Sequence, residues 1–373
     1  MKATKLFFMA ALALTFVACS NDDIDIQNPE QQPVKAEGIP FTATISIDNG
    51  AATRAITENR TTLETSWAVG EKVALIHNSV SDEMEVKSVS GGVATIKGTI
   101  TGTPLDGDAV TIIYPASAAD GTTGNVKDDW FAAQDGTLTG TGGTSIAEKY
   151  DVRIGTGTLN ATGTSLSGTA TLTNQNAIFK LTLKNIDATA DVSATSVKIY
   201  NQENTLLTTV TPASGYENVM YVALPTTATT LKFAVTDGTT NYFNMASSLS
   251  LDTKYYQSTI KLATVGDVIM STGKCDKAGT SGAVAMIAYL GNASECTNGL
   301  AIALEDLSTN TLTWDNSGSN NGGKTAAELC SAWNTSKAVT GGTWRLPSAK
   351  DWQYMFIGCG SGESYSEPSI GVT

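Results

Sequence analysis

Five cysteines, one histidine and a few arginines and paired aromatics hold most of the reactive chemistry of this chain. Cys19 has the most specific surroundings. It closes the run Phe16-Val17-Ala18-Cys19, behind Lys2, Lys5 and an apolar stretch over 6–18 broken only by Thr15. An apolar run of about 13 residues is too short to span a bilayer, which takes ~20, and fits the hydrophobic part of a signal peptide. A small residue before a cysteine is the pattern cut by lipoprotein signal peptidase, which leaves the thiol carrying a diacylglycerol. Residues 1–18 are therefore expected to be a removed signal peptide and Cys19 a lipidation site. Each acyl CH₂ that enters the membrane contributes ~0.8 kcal/mol, so a multiply acylated cysteine anchors a chain without a transmembrane helix.

The other four cysteines, Cys275, Cys296, Cys330 and Cys359, all lie in the last third. In an exported segment an even set predicts two disulfides, and three pairings are open. No two of the four stand as a close CxxC pair, so no zinc site is expected. His77 is the single histidine and follows an apolar strand-like run, which reads as a strand-end residue rather than a catalytic base. One histidine supports neither Ser-His or Cys-His catalysis nor a multi-histidine metal site. The chain reads as a non-enzyme, with no cofactor and no metal. Asp315-Asn316-Ser317-Gly318-Ser319-Asn320 is rich in oxygen donors but lacks the spaced carboxylates of an EF-hand, and reads as a turn-rich loop.

Trp130 and Phe131 stand together in a polar Gly/Thr/Asp-rich link over 116–145. Two large aromatics exposed there would need a partner, which makes them candidate ligand contacts; the alternative is that they fold back onto the body of the protein. Arg54 follows the Asp48-Asn49-Gly50 turn, between Thr53 and Ala55, where an exposed backbone would be open to proteolysis; Arg60 is the second candidate.

The elements that must position these residues are mostly strands. Net charge is −13 and charged residues make up 16% of the chain, with 35 glycines. An acidic surface repels phosphate backbones, so nucleic acid is excluded as a partner. Residues 20–38 are a polar tether rich in Asp, Gln and Pro. Phe41-Thr42-Ala43-Thr44-Ile45-Ser46-Ile47 then alternates apolar and polar, the signature of a half-buried strand. Short strands with Gly and Pro between them continue to Leu262, predicting β-sandwiches. The last third changes texture. Thr325-Ala326-Ala327-Glu328 and Ser348-Ala349-Lys350-Asp351 are capping boxes that predict two helices, flanking Gly342-Thr343-Trp344-Arg345-Leu346-Pro347.

Residues 37–262 resemble the fimbrillin family, the subunits of Bacteroidetes type V pili. The resemblance rests on the lipoprotein signal, on Ala52-Thr53-Arg54-Ala55 after the first strand and on Trp67-Ala68-Val69-Gly70-Glu71. The Thr/Gly-rich stretch before Asn176-Ala177-Ile178-Phe179-Lys180-Leu181 adds to it. It implies two transthyretin-like β-sandwich domains, at 39–173 and 174–262. It also implies assembly in which a protease cuts after an arginine, removes the lipidated first strand and leaves a groove for a strand of another subunit. Ser20-Asn21-Asp22-Asp23 is similar to the acidic tag that sends lipoproteins to the outer face of the outer membrane. Residues 263–373 resemble a small α+β C-type-lectin-like module of the major-paralogous-domain type, carried by Trp344-Arg345-Leu346-Pro347-Ser348 with Asp351-Trp352, and by Cys330 and Trp333 upstream. The family's further strands are not matched, so this module reads as incomplete. Together the resemblances imply a surface lipoprotein that serves as a pilus subunit, at the tip or as a minor adhesive subunit. Its partners would be other subunits by donor-strand exchange and a host or microbial glycan or protein. The alternative is a monomeric outer-membrane glycan-binding lipoprotein.

Overall fold

The computed structural model describes residues 38–47, 57–59, 62–64, 66–140, 144–162, 164–246, 248–291, 299–308 and 325–360. The fold is mainly β: of the described residues 46% are in strands and 10% in helices, with a small helical part at the C-terminal side.

Strand β1 (Ile39–Ile47) is followed by a small hairpin, β2 (Thr57–Asn59) and β3 (Thr62–Glu64). Then come β4 (Lys72–His77), β5 (Val80–Ser90), β6 (Val93–Ile100) and β7 (Ala109–Tyr114). Asn78 and Ser79 join β4 to β5 and Gly91 and Gly92 join β5 to β6, all four with positive φ. Two-residue turns of that hand match the right-handed twist of the strands they connect. After β8 (Ala133–Gln134) the sheet resumes with β9 (Arg153–Thr158), β10 (Asn160–Thr162) and β11 (Ser165–Asn174). The order β1-β6-β5-β4-β7-β9-β11 is closed by a direct pairing of β1 with β11, so this sandwich is a ring. Its interior holds Phe41, Ile45, Trp67, Leu75, Met84, Ile96, Ile112 and Leu172.

The second sandwich follows after Gln175. Its strands are β12 (Asn176–Asn185), β13 (Ser196–Tyr200), β14 (Leu206–Val210), β15 (Val219–Pro225), β16 (Leu231–Thr236), β17 (Asn241–Ala246) and β18 (Tyr255–Leu262). One sheet runs β15-β12-β18 and the other β17-β16-β13-β14-β8. Inward alternation in strands such as Phe179-Lys180-Leu181-Thr182-Leu183 fills the space between them with Phe179, Leu181, Val197, Ile199, Val222 and Phe233. Strand β8 belongs to this second sandwich, although the strands on either side of it in sequence belong to the ring.

A third sheet, β20-β19-β21-β22, is built from β19 (Val268–Met270), β20 (Cys275–Asp276), β21 (Ala283–Tyr289) and β22 (Leu300–Ala303). Its Ile287 and Leu290 pack with Ala263, Phe243 and Ile186 of the second sandwich. Two helices follow, α1 (Ala326–Ser336) and α2 (Ala349–Gly358), each opened by the capping box that its sequence predicts. Helix α2 lies close on β21. A Cβ on Gly358 would come within 2.0 Å of the Ala288 carbonyl oxygen, so only glycine permits that approach.

Candidate functional site

The arrangement with the clearest functional potential is the slot that β1 occupies. Along β1 the burial alternates, with Phe41, Ala43, Ile45 and Ile47 turned into the ring. On one side β1 runs antiparallel to β6 and on the other parallel to β11. Phe41 stands opposite Gly98 and Leu166, Ala43 opposite Ile96 and Gly168, and Ile45 opposite Ala94 and Ala170. Phe41 and Ile45 therefore each meet at least one small neighbour, Ala43 lies between Ile96 and Gly168, and Ile47 meets Leu172. A Cβ on Gly98, opposite Phe41, would fall 2.4 Å from the Met84 sulfur, so a larger residue there would have to displace the Met84 side chain. Full burial of Phe41, Ile45 and Ile47 contributes roughly 1.5–3 kcal/mol each.

The opposite face of β1 is polar. A shallow cleft of about 490 Å³ is lined by Thr44 and Ser46 of β1, with Thr156, Thr169, Thr171 and Val93 from its neighbours. Ser46 and Thr171 share a hydroxyl–hydroxyl bond of 3.1 Å across the parallel pair. The slot thus specifies a strand in three ways: direction, size at each inward position, and small hydroxyl residues outward.

Several of the residues singled out in the sequence fall elsewhere. Cys19, Arg54, Arg60 and Cys296 lie outside the described residues, as do 309–324, with the oxygen-rich loop, and 361–373. Cys275, Cys330 and Cys359 are free thiols, none paired with another, and the fourth candidate of the expected two disulfides, Cys296, is outside the described residues. Cys275 packs against the Ile287 cluster, Cys330 is buried on α1, and Cys359 is exposed where α2 ends. Burial, with the Asp267 charge adding to it, pushes the Cys275 thiol up to about 12.

Trp130 and Phe131 are half-buried and contact the Tyr150 ring, with centroids 6.5 and 6.2 Å away. They pack against two apolar clusters at once, one on the outer side of the ring and one on the outer side of β12 and β15. The Trp130 indole N–H donates to the Lys149 carbonyl at 3.0 Å. This packing is the fold-back alternative: they wedge the ring to the second sandwich.

His77 is buried, its Nε2 2.8 Å from Asp108 Oδ2, and ties the end of β4 to the turn before β7. The Leu105 N–H first, and His77 second, hold the Asp108 carboxyl below its ordinary range. Trp344 meets Trp333 edge-on at 5.5 Å and donates its indole N–H to the Lys337 carbonyl. Trp352 is 44% exposed and lies 6.2 Å from the exposed Phe356 ring. Among the described residues no three His, Cys, Asp or Glu converge into a metal site.

No family model matches the chain, and no curated protein matches it. Solved structures do show likeness. A candidate cell adhesion protein from Bacteroides ovatus is 10% identical, with a TM-score of 0.36, covering 65% of this chain and 99% of its own. A fimbrial assembly protein from Parabacteroides distasonis is 11% identical at a TM-score of 0.33, covering 60% of this chain and 90% of its own. A fimbrial protein from Bacteroides ovatus is 13% identical at 0.27, and the match spans 69% of this chain and 58% of that one. Likeness at this level carries no statement about function.

Proposed function

We propose that this chain is a surface-exposed pilus subunit that matures by losing β1 and accepting a strand from another subunit in its place. One observation carries the reading: the first strand is the piece that closes the ring, seated between two strands that do not pair with each other. A cut after Arg54 would separate residues 1–54, β1 included, from the rest. Arg60 falls between β2 and β3 and would have the same effect on β1.

Loss of β1 leaves two rows of unpaired backbone groups, on β6 and on β11, above an open apolar channel. Both are costly in water, and an extended strand of the right pattern satisfies both at once. In this reading Cys19 is the lipid tether that brings the subunit to the outer membrane surface and is discarded with β1.

The test is mass spectrometry of protein on intact cells and in shed material. A mature N-terminus at Ala55, or at Thr61, is expected. A chain beginning at lipidated Cys19 in every fraction would overturn the proposal. Purified protein cut at Arg54 and stripped of β1 should bind a synthetic peptide of residues 39–47, and uncut protein should not.

A further inference from the structure

Between β7 and β9 the chain leaves the ring and lays residues 132–138 along the open side of the second sandwich. Without this segment that side would have two unpaired edges, β14 in one sheet and β15 in the other. The excursion satisfies both. Thr209 N–H donates to the Ala132 carbonyl at 2.8 Å and Thr211 N–H to the Gln134 carbonyl at 2.9 Å, a parallel pairing on β14. Tyr221 N–H of β15 donates to the Gly136 carbonyl at 2.8 Å.

Gln134 completes the bridge with its side chain. Its amide nitrogen donates to the Ala223 carbonyl at 2.8 Å and its amide oxygen accepts the Ala223 N–H at 2.8 Å. A primary amide here does what a peptide unit of a neighbouring strand would do. It is 5% exposed and also reaches the Thr208 hydroxyl and the Phe131 carbonyl. Two residues on, Gly136 has φ +78°, and a Cβ there would stand 3.0 Å from the Met220 Cβ and 3.4 Å from a Val210 methyl. The floor of this groove therefore demands glycine two places after an amide side chain.

We infer that the β14–β15 edge is a second strand-accepting groove, closed in each molecule by residues 131–138 and able to take the same residues from a second copy of the chain. The occupant is named by fit: Phe131-Ala132-Ala133-Gln134-Asp135-Gly136-Thr137-Leu138 supplies the amide, the glycine and the apolar Leu138 that packs with Tyr150 and Ile178. The segment sits mid-way along a long excursion between two ring strands, the topology from which identical elements are exchanged between protomers. Nothing in this inference depends on removal of β1.

The experiment uses the full chain with Gln134→Ala and Gly136→Val, and a fluorescent peptide of residues 131–138. The variant should bind the peptide saturably and at least about tenfold more tightly than the unaltered chain, in which the groove is filled. A peptide with valine in place of the glycine should not bind. Amide exchange on the single variant Gln134→Ala gives a reading that needs no tight peptide. The amides of Thr209, Thr211, Tyr221 and Ala223 should speed up together, by about tenfold or more, while those of β12 stay as they were. Unchanged exchange at those four amides, or unaltered protein that binds the peptide as tightly as the variant, overturns the inference.

Discussion

Ala43 of β1 faces Ile96 of β6 across an antiparallel register, and both side chains are fully enclosed by the ring. Ala43 is the one small residue among the inward positions of β1, with Gly168 of β11 on its other side. Ala43→Phe should overpack the ring and lower its stability by about 1–3 kcal/mol. Ile45→Ala, at a position with no exposed surface, should cost about 2–5 kcal/mol by leaving a cavity. Urea unfolding followed by circular dichroism measures both, with Thr44→Val on the outward face as the near-neutral comparison.

The wedge at Trp130 predicts a different kind of change. Trp130→Ala removes packing against both the ring and the second sandwich, at a cost of about 2 kcal/mol for a half-buried aromatic. Calorimetry should then show the ring and the second sandwich melting in separate transitions instead of together. A single transition at lower temperature would mean that the wedge stabilises without coupling them.

Thiol chemistry should follow burial. Alkylation of the folded protein at pH 8 is expected at Cys359 first and at Cys330 more slowly, because burial pushes that thiol up as well. Cys275, pushed up to about 12, should resist until the protein unfolds. Peptide mapping of the alkylated sites without prior reduction checks both the order and the unpaired state of these three residues.

Arg345 and Asp351 predict the pH response of the helical region. The guanidinium meets the carboxylate with two contacts, Nη1 to Oδ2 at 2.5 Å and Nη2 to Oδ1 at 2.7 Å, and the Ser348 N–H adds a third at 2.7 Å. The Arg345 contact, with help from Ser348, holds the Asp351 carboxyl at about 2, below the ~3.9 of an unfolded aspartate. A depressed carboxyl contributes stability that is complete above pH ~4 and disappears as pH falls through about 2. Tryptophan fluorescence should therefore find Asp351→Asn less stable than the unaltered chain at pH 7, with the gap closing below pH 4.

Much of this architecture was legible in the residues themselves. The alternation over 41–47 placed β1, and both capping boxes placed their helices, because those signals depend on a residue and its near neighbours alone. Strand β5 was not legible. It begins Val-Ser-Asp-Glu-Met-Glu-Val-Lys, and only Met84 and Val86 are fully buried in the core while its charged face stays in water. The closure of β1 on β11 and the transfer of β8 to the second sandwich could not be read either, since each is a contact between residues distant in sequence. The same reason explains Trp130 and Phe131: a pair of aromatics on a polar link looks exposed until the surface that covers it is known. For Gln134 a signal did exist, an amide two places before a glycine in Ala-Gln-Asp-Gly, but its meaning lies in Ala223, eighty-nine residues on.

The parallel pairing of β1 with β11 has a consequence for how the molecule forms. Ser46 and Thr171, bonded across that pair, are 125 residues apart in the chain. A polypeptide that emerges from its N-terminus makes β1 first and can seat its far side last, after every other strand of the ring has been made. Contacts of such long sequence separation are slow to form, and while they wait the edge of β11 is the adhesive part of the nascent chain. The seam that closes last during folding is also the seam at which, in the proposed maturation, one strand is traded for another.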